Sequence, residues 1–142
     1  MYDVERIGKI ISDIEKYFRD LELEGLNIKK VEDLEDRKDF YAISMVLFSI
    51  LNRAIDLGDE IVMANNLGMP STYKEIFRLL TRNEYIGKDI GEELSNLVFY
   101  RNLLSHEYYD LTEEDVFEVF KRIDIVKKFV GRIKEILREG SL

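Results

Sequence analysis

Apolar residues recur every three or four positions along most of the 142-residue chain, and Pro70 is its only proline. This spacing places apolar side chains on one face of an α-helix, and the scarcity of proline and glycine leaves few residues that would end one. The sequence therefore predicts an all-α fold, a bundle of about five helices.

Two long helices are expected in the first half of the chain. The first begins near Ile7 and ends near Gly25, where the apolar stripe stops and a glycine can form the C-terminal cap. A charged linker at residues 31–37 leads to the second, whose apolar residues cover more than one face over residues 40–62. Such width is typical of a central helix, or of one that also forms a dimer interface.

Three further helices are expected in the second half. Residues 65–70 end the long helix, and Thr72 with Glu75 forms a capping box that opens a short third helix. The fourth spans about residues 89–104. The fifth spans residues 112–140 and begins with acidic residues, which stabilise a helix N-terminus through the helix dipole.

The length and composition fit one domain covering residues 1–142. The sequence has no uninterrupted apolar run of about 18 residues, and its N-terminus lacks the basic and then apolar pattern of a signal peptide. We therefore expect a cytoplasmic protein with no membrane association. The charged residues reach 35% while glutamine and tryptophan are absent, a pattern typical of proteins from hot environments.

The content of metal-binding residues and the net charge restrict the function. Cysteine is absent and there is one histidine, with no ligand spacing, so we expect no metal and no other cofactor. The formal net charge of −8 argues against a protein that coats nucleic acid, because such binding needs many cations. A local cleft for nucleic acid and a basic protein partner both remain open.

The side chains best suited to catalysis are concentrated in residues 100–110. Asn102 and His106 are four positions apart and share a helix face, while positions 101, 105 and 108 form the neighbouring stripe. Arg101, Asn102, His106 and Tyr108 are therefore predicted to converge on one rim. If the helix unwinds after residue 105, the histidine and the tyrosine lie in the following loop instead.

Arginine and histidine together are sufficient to cleave RNA without a metal. Imidazole can take the proton of the ribose 2′-hydroxyl or give one to the leaving 5′-oxygen, and guanidinium can hold the phosphate. The alternative is that His106 and Arg101 cap a helix or edge the core, and that the tyrosines are packing residues. Asp56 and Asp59 are either a solvated helix face or carboxylates that orient Arg101 or His106.

The order Arg101, four residues, His106, one residue, Tyr108 resembles the signature of HepT-like proteins of the HEPN superfamily. The similarity extends over residues 40–137 and includes Asp56-Leu57-Gly58-Asp59 and the passage from Tyr108 into the last helix. The three-part motif in this context makes the resemblance fairly specific.

The resemblance implies the toxin of a type VII toxin–antitoxin pair. Such toxins are metal-independent ribonucleases that act generally as homodimers, with an arginine and a histidine at the active centre, which implies Arg101 and His106 as the catalytic residues here. We expect Asn102 beside them to be a positioning group. The implied partner is a MntA-like minimal nucleotidyltransferase antitoxin that transfers AMP from ATP to Tyr108. The alternative is a non-catalytic nucleotide-binding or docking subunit of that nucleotidyltransferase.

Overall fold

The computed structural model describes residues 1–106 and 111–140, of which residues 104–106 are described by their backbone alone. No strand occurs in these ranges, so the all-α prediction is confirmed. The elements are α1 (Val4–Glu24), a short 3-10 helix (Val31–Leu34), α2 (Arg37–Ala64), α3 (Tyr73–Arg82), α4 (Lys88–His106), α5 (Glu113–Arg122) and α6 (Ile125–Gly140).

Helix α2 is the centre of the bundle. It has 28 residues and packs against each of the other five α-helices. By length and hydropathy alone α2 could also cross a bilayer, with a mean hydropathy of 1.4 over 18 residues, but half of that window is buried inside the bundle. Contact with five helices accounts for an apolar surface on more than one face, as the sequence predicts for a central helix.

The caps of the helices follow the sequence closely. The Gly25 N–H donates to the Leu21 carbonyl at the end of α1. Thr72 caps α3 by accepting a hydrogen bond from the Glu75 N–H. The Glu75 carboxylate does not complete the box with Thr72 but accepts from the backbone and hydroxyl of Ser71, and these bonds hold the pKa of Glu75 below its usual value.

The last helix of the prediction is two helices in the structure. Thr112 and Asp115 form a reciprocal capping box at the start of α5, as the acidic first turn indicates. At residues 123–124 the hydrogen-bond pattern tightens, because the N–H groups of Val126 and Lys127 donate to carbonyls three residues back. This tight turn separates α5 from α6, and the apolar spacing of the sequence runs through it without a visible change.

The core is largely aliphatic, with aromatic rings at its centre. Phe77 of α3 and Phe129 of α6 are both fully buried and meet edge to face, with ring centroids 5.7 Å apart. This contact attaches α3, and the residues at its N-terminus, to the helix at the end of the chain.

Replacing Phe77 by Ala should lower the free energy of unfolding by about 3–5 kcal/mol, since it removes the transfer free energy of the ring and leaves a cavity. Urea denaturation followed by circular dichroism measures the change. Leu23→Ala on the exposed face of α1 is the control and should cost no more than about 0.5 kcal/mol. Equal costs for the two variants would show that the aromatic pair is not central to the core.

Candidate active site

Arg101 lies in the last third of α4 and is held against α2. Its Nε donates a hydrogen bond of 2.9 Å to Oδ1 of Asn52, a residue 49 positions earlier in the chain. Its Nη1 lies 3.5 Å from Oδ1 of Asn102, the next residue along α4. The guanidinium is thus bound to a side chain of another helix, which fixes its plane better than its own flexible stem can.

Two aromatic rings complete the surroundings of the Arg101 guanidinium. Its Cζ lies 5.0 Å from the ring centroid of Tyr73, the first residue of α3, and 5.5 Å from that of Phe48 on α2. At these distances a cation is attracted to the ring faces. Asn52 and Phe48 of α2 and Tyr73 of α3 therefore position Arg101, although none of these three is near it in the sequence.

The other motif residues are described only in part. Asn102 is exposed beside Arg101. Helix α4 continues through His106, so the backbone stays helical beyond residue 105, and positions 102 and 106 are one turn apart on the same face. The side chain of His106 and all of Tyr108 lie outside the described residues.

Helical geometry separates the backbone positions of the arginine and the histidine. Residues 101 and 106 are five positions apart on a continuous helix, which places their Cα atoms about 140° apart around its axis. Position 101 faces α2 through Asn52. The Cα atom of residue 106 therefore lies away from the side of α4 that contacts α2.

Asp56 and Asp59 lie one to two turns beyond Asn52 on α2. Asp56 accepts a hydrogen bond of 3.0 Å from Arg53, which also binds Asp13 of α1 at 2.7 Å. Hydrogen bonds from Lys9 and then Arg53 lower the pKa of Asp13. Asp56 therefore takes part in the ionic link between α1 and α2.

Asp59 has a different setting. With Asp56 it lines a small cavity of about 240 Å³ whose wall includes Tyr73, the residue that stacks on Arg101. Both carboxylates thus face a space adjoining the Arg101 site. Whether they orient a catalytic group stays a prediction.

The sequence interpretation missed the residues that hold Arg101. Asn52 is a neutral amide between Leu51 and Arg53 in the most apolar stretch of the chain, and a polar residue in that position is the signal that could have identified it. Phe48 and Tyr73 give no such signal, because aromatic residues at helical spacing usually belong to the core. Within the described ranges, no group of three or more acidic or histidine side chains is placed to hold a metal ion.

The model of one protein family, described as ribonuclease HepT-like, matches residues 7–133. The chain belongs to the ribonuclease HepT-like family. The match runs from α1 into α6, so the Arg101 site of this HepT-like chain lies within the matched residues.

Known proteins agree with this assignment. The mRNA nuclease HepT of Shewanella oneidensis is 26% identical over 102 residues, which cover 69% of this chain and 77% of that protein. A tri-AMPylated HEPN toxin of Shewanella oneidensis, solved in complex with its MNT antitoxin, matches with a TM-score of 0.83 at 22% identity, over 95% of this chain and 99% of that one. YutE, a cytosolic protein of unknown function from Bacillus subtilis, matches with a TM-score of 0.83 at 20% identity, over 99% and 95%. These structures show that the HepT-like chain has the fold of HEPN toxins.

Proposed function

We propose that the chain is a metal-independent RNA endonuclease that acts in the cytoplasm as the toxin of a toxin–antitoxin pair. The observation that carries the proposal is the fixed guanidinium of Arg101, five residues before the single histidine, in a chain of the ribonuclease HepT-like family. A preorganised cation stabilises the charge that develops on phosphate oxygens in the transition state. The mRNA nuclease HepT supports RNA as the substrate.

The chemistry needs two proton transfers. The 2′-hydroxyl oxygen attacks the adjacent phosphorus, the bond from phosphorus to the 5′-oxygen breaks, and one product keeps a 2′,3′-cyclic phosphate. One imidazole takes the proton of the 2′-hydroxyl, and a second, protonated imidazole gives a proton to the leaving 5′-oxygen. Each chain has only one histidine, so two chains together supply the base and the acid.

An exposed stripe on α2 supports a homodimer. Tyr41 and Met45 are 49% and 60% exposed, and they continue at helical spacing into Phe48 and Asn52, which contact Arg101. Large apolar side chains exposed in a row beside a site are typical of an interface. A second copy that covers this stripe brings both Arg101 residues and both His106 residues to one groove.

Inhibition by a nucleotidyltransferase fits the same site. The solved HEPN toxin is AMPylated and bound to its MNT antitoxin. Here the Tyr108 oxygen would attack the α-phosphorus of ATP, pyrophosphate would leave, and the phenolic proton would pass to a base. The added phosphodiester is negatively charged, so it would occupy Arg101 and repel an RNA phosphate.

His106→Ala and Arg101→Ala should each lower RNA cleavage in EDTA by about 100-fold or more, because they remove a proton-transfer group and the phosphate ligand. Asn52→Ala should lower kcat by roughly tenfold, since the guanidinium stays but loses its anchor. The measurement is gel-resolved cleavage with analysis of the 3′ ends. Arg19→Ala on α1 is the matched control and should cleave as the wild type does. A wild type that is inert on every RNA class, or that needs Mg²⁺, contradicts the proposal.

Incubation with the cognate nucleotidyltransferase, Mg²⁺ and ATP should add the mass of AMP to the wild type and none to Tyr108→Phe, with loss of cleavage in the modified protein. Intact-mass spectrometry gives the result. An adduct that persists in Tyr108→Phe moves the modification to another phenol, such as Tyr109, which is nearest in sequence, or Tyr73, whose ring contacts Arg101. No adduct on the wild type removes the support for this switch and favours a docking subunit.

Met45→Glu should convert a dimer to a monomer and abolish cleavage, because it puts a charge into a contact that buries at least ~1,000 Å² in total. Light scattering at micromolar concentration reports the mass. Leu23→Glu on α1, at a position that is at least as exposed in the single chain, should remain dimeric and active. A monomeric wild type that cleaves RNA would refute the two-chain site.

A further inference from the structure

A second surface of the chain is positively charged, although the chain as a whole carries a net charge of −8. It is the groove between α3 and α4, which encloses a cavity of about 580 Å³. Its cations are Lys74, Arg78 and Arg82 on α3 and Lys88 on α4, with one acidic residue, Glu92, in the lining. We call this surface the α3–α4 groove.

The cations of α3 are spaced to act together. Lys74, Arg78 and Arg82 are each four residues apart, so they form one row along about 12 Å of helix. They are exposed, and every exposed charged residue of α3 is a cation. The acidic residue of this helix, Glu75, accepts hydrogen bonds from Ser71 at the helix start, and the charges of Arg82 and Arg78 also lower its pKa.

The row consists of three neighbouring cations on one helix face, all of them exposed. Arg6, Arg53, Arg122 and Lys134 each form an ion pair between elements. None of the three α3 cations forms an ion pair with another described residue, and Lys88 reaches Glu92 at 3.9 Å with both side chains largely exposed. Unpaired like charges in a row repel one another, so a fold gains nothing from placing them together.

The α3–α4 groove leads to the Arg101 site. Tyr73, whose ring stacks on Arg101, immediately precedes Lys74 in the groove wall. On α4 the groove residues Lys88, Glu92 and Ser95 lie on the helix face that continues to Asn102 and to position 106. The two helices come close together at the floor of the groove, where Gly91 is buried against Thr81. A side chain at position 91 would not fit, since its Cβ atom would lie 2.0 Å from Oγ1 of Thr81.

We propose that the α3–α4 groove binds the phosphate backbone of single-stranded RNA on one side of the bond that is cut. This rests on the proposed function for the position of the cut. Three unpaired cations one helical turn apart match a chain of phosphates and recognise no base edge, so binding is independent of sequence. An acidic net charge then confines RNA to this groove, because the rest of the surface repels it.

The test compares the triple variant Lys74→Ala/Arg78→Ala/Arg82→Ala with the control Lys16→Ala/Arg19→Ala/Lys128→Ala, which removes the same charge from exposed positions on α1 and α6. The probe is a 2′-O-methylated RNA of about ten nucleotides, which cannot be cut, followed by fluorescence anisotropy. The triple variant should bind the RNA about tenfold more weakly than the wild type. A plot of the logarithm of its association constant against the logarithm of the salt concentration should be less steep by about 2. The control should bind as the wild type does, and circular dichroism checks that both are folded.

Cleavage kinetics locate the effect. The triple variant should raise KM for a long RNA at unchanged kcat, and it should leave cleavage of a dinucleotide unchanged, because a dinucleotide spans the Arg101 site alone. Asn96→Glu, which adds a negative charge to the groove and removes no cation, should weaken binding of the long RNA in the same direction.

The outcomes separate this inference from the proposed function. If the wild type cleaves RNA and the triple variant binds RNA as well as the wild type does, the groove is not an RNA site and the proposed ribonuclease activity still stands. RNA binding that depends on the groove but is not followed by cleavage supports the groove as an RNA site and contradicts the proposed ribonuclease activity. A wild type that binds no RNA contradicts both. A triple variant that binds RNA normally but no longer binds the nucleotidyltransferase makes the groove a protein-docking surface, which also overturns the inference.

Discussion

The hydrogen bond from Arg101 to Asn52 is the contact on which the candidate site depends. It joins α4 to the central helix α2, and it is made by a side chain whose long flexible stem would otherwise lose much entropy on binding a phosphate. The rings of Phe48 and Tyr73 hold the same guanidinium from two directions. The cost of ordering the cation is therefore met by the fold and not by the substrate.

Helix α2 is both the central helix of the bundle and a wall of the candidate site, and these two roles require different side chains. As the central helix it must be apolar on the faces that meet the other helices, and as a wall of the candidate site it presents Asn52. Tyr41 and Met45, at helical spacing from Asn52, are exposed. An exposed apolar stripe raises the risk of nonspecific association, which a specific partner surface removes. Contact with the other five helices accounts for most of the wide hydrophobic pattern seen in the sequence, and the proposed homodimer would account for the exposed part.

The sequence predicts the bundle well because helix spacing and capping are local. Gly25, Thr72 and Thr112 cap the helices where the sequence indicates. The break between α5 and α6 at Ile123–Asp124 has no signal in the apolar pattern, which is continuous through it. The sequence motif identifies Arg101 as a candidate site residue, but it does not identify the residue that Arg101 binds. Asn52 is 49 residues away, and a contact between distant residues depends on how α2 and α4 pack.

The pair Gly91 and Thr81 sets the distance between α3 and α4. With an alanine at position 91, the threonine hydroxyl would have to give up its bond to the Phe77 carbonyl or the two helices would have to separate. A change at either position alters the width of the space between the helices without altering any charge. Exchanging a hydrogen atom for a methyl group at the floor of the α3–α4 groove would thus change the size of the ligands that fit there. Selection could adjust this width at a position that lies ten residues before Arg101 in the chain.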